Sequence, residues 1–406
     1  MKYENLIKGV EERYARKYNE IDEISLKNQE KVLNAFTATR VSSRHFAPST
    51  GYGYGDDGRD KLSELFACVF NAESALVSSH FASGTHTISC ALFGIFRPGD
   101  KVLAITGEPY DTLMGVIFGK GNGSLSDFGI KFECVPLLNG SIDYKTIAEN
   151  YDLDQFNGIY IQRSPGYTRR KGFSINDIAE AVQFVKNRTD APIIIDNCYG
   201  EFVETREPTD VGADLIIGSL IKNPGGALAP TGGYVAGKKD LVDKVAMRLT
   251  APGVGAEVGS YEHSYRNFYQ GLFIAPHVVA QARKGGLLVA GVMEELGYGV
   301  FPSAKEDAGD IVRVIDFGNE EKMIKFCQSI QSASPVDGFA LPMPWDMPGY
   351  EDQVIMAAGT FVQGSSIELS ADAPVRPPYS LYVQGGITYE HTKIALLKSL
   401  QSLDES

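Results

Sequence analysis

Two short stretches end apolar, strand-like runs on residues able to do chemistry. Pro192-Ile-Ile-Ile-Asp196-Asn-Cys-Tyr199 carries an aspartate where its run stops. Asp214-Leu-Ile-Ile-Gly-Ser219-Leu-Ile-Lys222-Asn-Pro-Gly-Gly226 carries a serine followed three positions later by a lysine. In an α/β protein, residues at strand ends face the crevice where ligands collect. If the two strands are neighbours, Asp196 and Lys222 can hold opposite ends of a planar cofactor. Such a cofactor needs an amine for a Schiff base and a carboxylate beside a pyridinium nitrogen, which is the requirement of pyridoxal 5'-phosphate. On this reading Asp196 keeps the ring nitrogen protonated, while Lys222 anchors the aldehyde, releases it to substrate and then moves protons. Each residue also has a plainer reading: a strand-end aspartate can cap a turn, and a lone lysine is usually a solvated surface group.

The cofactor's phosphate needs its own donors. The strand-like Ala75 to Ser78 leads towards Ala82-Ser83-Gly84-Thr85-His86, and Gly84 and Thr85 can begin a helix carrying Ile88, Ala91 and Leu92. Amides at that N-terminus, with the hydroxyls of Ser83, Thr85 and Ser219, suit a phosphate dianion without a Walker motif. The run Gly51, Gly53, Gly55, Gly58 supplies no clean GxGxxG behind a strand, which argues against a nicotinamide dehydrogenase. His45, His80, His86, His263, His277 and His391 form no HExxH, so no metal is expected and turn or packing roles are favoured. Cys68, Cys90, Cys134, Cys198 and Cys327 show no CxxC, which points to free thiols in a reducing compartment.

The elements that must position these residues are legible in outline. The 406 residues exceed one typical domain, and 38 basic against 51 acidic residues give a net charge of -13, which supplies no broad basic footprint for nucleic acid. No apolar run reaches membrane-spanning length and no signal-like segment opens the chain, so a cytoplasmic protein is expected. Residues 1 to 36 suggest interrupted amphipathic helices with Ile7, Val10, Tyr14, Ile21, Ile24 and Leu33 as their apolar positions. Strands are expected at Ala75–Val77, Lys101–Ile105, Phe132–Val135, Gly158–Gln162, Ile193–Asp196, Leu215–Gly218 and Gly233–Ala236. Helix-length segments separate them, which favours a mainly parallel sheet. Ser174 caps one crossover helix whose Ile175, Ile178, Ala179, Val182 and Val185 share a face. Residues 257 to 297 read as mostly helical. Beyond residue 300 the strand-like runs are Ile311–Ile315, Gln353–Ala357, Ser366–Leu369 and Leu381–Val383, with a helical tail from His391 to Leu400.

Ser83-Gly84-Thr85, Asp196-Asn-Cys-Tyr199 and Ser219-Leu-Ile-Lys222 together resemble the fold-type I pyridoxal-phosphate enzymes of the cystathionine and methionine lyase group. Gly53-Tyr54-Gly55-Asp56-Asp57-Gly58-Arg59, Ile161-Gln162-Arg163-Ser164-Pro165-Gly166-Tyr167 and Lys222-Asn-Pro-Gly-Gly226 resemble its aluminium-resistance or methionine gamma-lyase-like branch. The resemblance spans roughly residues 40 to 395. It implies a three-layer α/β/α large domain with a mainly parallel sheet and a smaller α+β C-terminal domain. The corresponding division is 1–58 (arm and interface loop), 59–297 and 298–406. It also implies dimers assembled into a homotetramer, with active sites completed across the dimer interface.

Carried over by residue, the resemblance makes Lys222 the Schiff-base lysine and Asp196 the pyridine-nitrogen partner. Ser83, Gly84, Thr85 and Ser219 take phosphate-binding places, and Tyr199 joins the cofactor set. Tyr110 falls where an aromatic ring stacks on the cofactor and assists catalysis, although its Glu-Pro-Tyr-Asp context departs from the tyrosine-glycine-glycine pattern. Tyr54 and Arg59 lie in a loop that reaches a neighbouring subunit's phosphate. Arg376 in Ala373-Pro-Val-Arg376-Pro-Pro-Tyr379 matches a substrate-carboxylate arginine, a role suited to a guanidinium's rigid donor fork. Arg163 is either a substrate or cofactor contact or part of a structural ion pair.

The expected reaction is carbon–sulfur cleavage of a small sulfur amino acid, such as methionine or cystathionine, giving an oxo acid, ammonia and a thiol. Transamination and retro-aldol cleavage use the same cofactor machinery and are the alternatives. A non-catalytic metabolite-binding or interaction protein on the same fold is a further one.

Overall fold

The computed structural model describes residues 2–404. In chain order its helices are α1 (Lys2–Arg13), α2 (Ala15–Ala38), α3 (Asp57–Val69), α4 (Gly84–Ile95), α5 (Asp111–Phe118), α6 (Tyr144–Asn150), α7 (Ile175–Lys186), α8 (Lys239–Leu249), α9 (Arg266–Glu295), α10 (Glu320–Ser332) and α11 (Tyr389–Asp404). The strands are β1 (Ser74–Ser78), β2 (Lys101–Ala104), β3 (Lys131–Cys134), β4 (Gly158–Gln162), β5 (Ile193–Asp196), β6 (Leu215–Ser219), β7 (Gly233–Gly237), β8 (Gly299–Phe301), β9 (Val312–Asp316), β10 (Val354–Ala357), β11 (Ser370–Pro374) and β12 (Ser380–Gln384). No described helix is long and apolar enough to cross a membrane.

The first seven strands form one sheet in the order β1-β7-β6-β5-β4-β2-β3, parallel except that β7 runs antiparallel to both its neighbours. Helices cover both faces, so the central strands need apolar side chains in both directions rather than an alternating pattern. Ile193 and Ile195 of β5 enter the core on one face, with Ile175, Ile178 and Val182 of α7. Ile194 enters the core on the other, with Ile88 and Leu92 of α4. Ser174 caps α7 as expected, accepting from the Asp177 amide while the Asp177 carboxylate accepts from the Ser174 amide.

The second sheet has the order β10-β11-β12-β9-β8 and is antiparallel throughout, with α10 and α11 packed together beside it. Tyr3, Ile7, Val10, Tyr14 and Ile21 of the N-terminal segment belong to this second core, whereas Val32 and Ala35 belong to the first. Helix α9 serves both cores: Phe268, Tyr269, Leu272, Ala275, Val278, Val279 and Ala282 pack in the first, and Ala280 and Leu287 to Met293 except Gly291 in the second. Leu33, expected on the apolar face, is 51% exposed.

One expected strand is absent. Ser366–Leu369 is a buried loop and the strand begins at Ser370. The Glu368 carboxylate accepts from the amides of Phe361 and Val362 at 2.8 and 2.9 Å, curling this stretch back on itself, while Ile367 and Leu369 anchor it in the two cores.

Candidate active site

Parallel pairing of β4, β5 and β6 puts Gln162 beside Asp196 and Asp196 beside Ile217, so their C-terminal ends converge. Above them lies a cavity of ≈ 370 Å³ whose lining includes Ser83, Gly84, Thr85, Tyr110, Asp196, Tyr199, Ser219 and Lys222. The structure thus brings together eight of the sequence-predicted residues from four separate stretches of chain.

Ser83 is the N-cap of α4, its hydroxyl accepting from the His86 amide at 3.1 Å, so the helix start opens on the cavity. Gly84 lies against Ser219: a Cβ there would sit 3.4 Å from the Ser219 Cβ. The buried Ser219 hydroxyl has no hydrogen-bond partner among the described residues. Thr85 Oγ1 is 3.0 Å from the Tyr110 hydroxyl and 3.1 Å from Thr112 Oγ1. Tyr110 is also held through its backbone, whose amide donates to Gln162 Oε1 at 2.9 Å.

Asp196 is buried, and its carboxylate accepts from the Cys198 amide at 3.0 Å. Burial pushes its pKa up, against the opposing charge of Lys222 and the Cys198 hydrogen bonds. Such a carboxylate favours a cationic N–H donor as a neighbour. The Lys222 ammonium lies 3.8 Å from the centre of the Tyr199 ring. Burial opposes its charge, but Cys198, Tyr199, Asp196 and Tyr110 hold its pKa well above the usual lysine value. Tyr199 has φ +71°, a left-handed conformation uncommon for a bulky residue and characteristic of functional turns.

The loop bearing Lys222 is fixed by close backbone approach. A Cβ on Gly226, which has φ +54°, would meet Gly271 O of α9 at 2.3 Å, and one on Gly271 would meet Gly225 O at 2.2 Å. Only hydrogen fits at these positions, and the Asn-Pro-Gly-Gly run after Lys222 is explained by this contact.

The opposite wall comes from the second sheet and was missed by sequence reasoning. Asp372 of β11 is buried, accepts from Gln384 Nε2 at 2.8 Å and from the Tyr167 hydroxyl, and faces the cavity. Burial pushes its carboxyl up to about 6, opposed by the Tyr167 bond and the charge of Lys222. The Tyr167 ring packs at a tilt against those of Tyr382 and Tyr350, with ring centres 4.8 and 5.6 Å away. The signal available was an Asp within an apolar strand, Ser370-Ala-Asp372-Ala.

Four sequence-predicted residues do not line this cavity. Arg163 is fully buried and donates to Phe173 O, Asn197 Oδ1, Gly200 O and Glu204 Oε1 at 2.9 to 3.1 Å, which ties β4 to the turn after β5. Arg59 is buried and donates to Gly53 O at 2.9 Å and Gly259 O at 3.3 Å. Tyr54 is 69% exposed and stacks on Tyr52 with ring centres 5.4 Å apart. Arg376 pairs with Asp352 at 2.8 Å, and its charge is felt by the cavity residue Asp111, whose pKa burial raises and Arg376 opposes.

The donor set fits pyridoxal phosphate. Ser219 offers an unsatisfied buried hydroxyl beside a helix N-terminus for the phosphate, and a buried carboxylate and an amine share the remainder of the cavity. Fold and site define a pyridoxal-phosphate-dependent lyase of fold type I. The chain belongs to the methionine gamma-lyase family, which it matches over residues 3–404, and it is a carbon–sulfur lyase acting on a sulfur amino acid. It is 51% identical over 391 residues to YnbB of Bacillus subtilis (strain 168), covering 95% of this chain and 93% of that one. A Listeria monocytogenes structure superposes with TM-score 0.95 at 51% identity, covering 98% of this chain and 100% of the other. A carbon-sulfur lyase involved in aluminum resistance from Clostridium novyi superposes with TM-score 0.92 at 48% identity, covering 98% and 94%.

Proposed function

We propose that Lys222 is the amine that carries the cofactor and that Asp196 faces the cofactor's ring nitrogen, in a lyase that cleaves the carbon–sulfur bond of methionine or cystathionine. The observation that carries this reading is the meeting of Lys222, Asp196 and the unpartnered Ser219 hydroxyl in one cavity. Ser83, Gly84, Thr85 and Ser219 hold the phosphate through hydroxyls and helix amides. When bound, the cofactor supplies an electron sink for charge developing at the substrate's α-carbon.

Around that sink each side chain has a distinct task. Asp196 maintains a positive neighbour at the ring nitrogen by its buried charge. Lys222 moves the proton from the α-carbon, and its position over Tyr199 restricts the arc of its ammonium. Tyr110, tied to Thr85, presents a face to the cofactor ring and a hydroxyl able to protonate the departing sulfur. Tyr199 supports both groups as part of the cofactor set. Arg376 swings from Asp352 to the substrate carboxylate, and Arg163 acts on the site from behind by fixing the turn that carries Tyr199. The substrate leaves as an oxo acid, ammonia and a thiol after addition of water.

The exposed Tyr52 and Tyr54 stack suits a contact with a second subunit, and Arg59 fixes the loop that carries it. With this contact go the proposals carried by the family resemblance: dimers with shared sites assembled into a homotetramer, a cytoplasmic location, and a division of the chain at residues 58 and 297. Cofactor-loaded protein offered methionine, cystathionine and other sulfur amino acids should release thiol and oxo acid. Equal product from Lys222→Ala would remove the catalytic assignment, and a keto acid formed without ammonia would replace it with transamination.

A further inference from the structure

A second cavity, of ≈ 570 Å³, lies at the seam between the two cores, walled by Lys17 and Glu20 of α2, Lys171 and Asp177 near α7, Arg283 of α9, and Arg313 of β9. Its two arginines are unusual. Arg313 is only 7% exposed, and its Nε and Nη1, like Arg283 Nη1, have no hydrogen-bond partner among the described residues. Buried guanidinium donors are costly without an acceptor, and in native proteins they mark a bound ion, water or ligand.

The acidic groups nearby are already engaged. Glu204 accepts from Arg163 at 3.0 Å and from the Ile175 amide at 2.8 Å. Asp307 pairs with Lys17 at 3.0 Å, Asp177 accepts from the Ser174 amide at 2.8 Å, and Glu306 accepts from the Ser303 amide at 3.0 Å. Asp310 does not line the cavity; it accepts from Ser164 Oγ and the Val312 amide at 3.0 Å, and its charge is felt by Arg313. Burial and the like charge of Arg313 push Arg283 down to about 10, against the opposing charges of Glu204 and Asp307.

We propose that this cavity binds a small oxyanion, the carboxylate or phosphate group of a metabolite, between Arg283 and Arg313. Paired guanidinia match the planar oxygens of a carboxylate or two edges of a phosphate. Glu20, Asp177, Glu204, Glu306 and Asp307 also line the cavity and disfavour large polyanions such as nucleic acid. The site also touches the catalytic cavity through one strand, because successive residues of β9 face opposite ways: Val312 lines the catalytic cavity and Arg313 the second one. An anion that draws α9 and β9 together therefore sets the position of one wall of the active site.

The test is titration of the cofactor-loaded protein with inorganic phosphate, and separately with succinate, at constant ionic strength, followed by calorimetry and thermal unfolding with the cofactor absorbance monitored. Saturable binding is expected for at least one anion, with a rise in Tm of about 3 °C at roughly a hundredfold excess over Kd. Phosphate alone or succinate alone identifies which group the site takes. Arg313→Met and the milder Arg283→Gln should each weaken binding at least about tenfold while the cofactor absorbance persists. Absence of saturable binding to either anion by the unaltered holoenzyme overturns the proposal, whether or not Arg313→Met folds. So does an unchanged response in Arg283→Gln, or a crystal structure of the assembly in which a second subunit's carboxylate pairs with both guanidinia.

Discussion

The two walls of the catalytic cavity are built differently. The wall from the first sheet consists of strand ends and a helix start, with Asp196 held by parallel register, Ser219 by its antiparallel pairing with β7, and Gly84 by its place in the first turn of α4. The wall from the second sheet consists of side chains in a network, Asp372, Gln384 and Tyr382, joined by Tyr167 from the loop after β4, whose positions depend on one another. Backbone-held groups suit a cofactor that is the same in every turnover, whereas a side-chain network suits discrimination among substrates. Damage to the first wall should remove the cofactor or the chemistry, and damage to the second should alter substrate preference and pH response.

The largest effect is expected at Lys222. Lys222→Ala should lower kcat by about 10³-fold or more and abolish the covalent cofactor absorbance, read by stopped product assay and spectrum. Asp196→Asn keeps the shape but removes the charge, and kcat should fall by roughly 10²- to 10³-fold with cofactor affinity also reduced. Gly271→Ala forces a Cβ against Gly225 O, and should destabilise the protein by about 1–3 kcal/mol in denaturant titrations and loosen cofactor binding. By contrast, Arg376→Gln should raise KM by roughly tenfold or more and leave the cofactor spectrum unchanged. A cofactor loss there would erase the distinction between the walls.

The finest probe is the pH response of Asp372, whose folded pKa of about 6 lies above its ordinary value of 3.8. Between about pH 4 and 6 the native state keeps a proton that the unfolded chain has lost, so stability falls as pH rises through that window and levels off above it. The full difference is about 3 kcal/mol. In cofactor-free protein, Asp372→Asn should flatten this slope in thermal unfolding scans, and an unaltered slope would assign the titration to another group.

The first wall was legible in sequence because its chemistry sits where apolar runs stop, and a run buried on both faces, such as Pro192 to Asp196, announces both the strand and its end. The second wall was not. Asp372 interrupts an apolar strand without a turn residue beside it, and its role emerges only when Tyr167, 205 positions away in sequence, supplies the hydrogen bond. The strand expected at Ser366 failed because apolar content reports burial rather than extension, and the Glu368 carboxylate made a loop the better use of those residues. Arg163 follows a strand end, which leaves a ligand contact and a structural ion pair equally open in sequence; its long side chain turns inward to Glu204 and to carbonyl groups that sequence spacing does not reveal.

The seating of Gly271 against Gly225 and Gly226 leaves no side chain to act as a cushion between α9 and the lysine loop. The far half of α9 is embedded in the second core, and Pro276 and the Gly285-Gly286 pair lie between it and Gly271, so a tilt of that core reaches the lysine loop through a helix with built-in points of bending. The helix thus acts as a jointed link: the posture of the substrate-facing half of the molecule and the aim of Lys222 are coupled through it, with Pro276 as the joint.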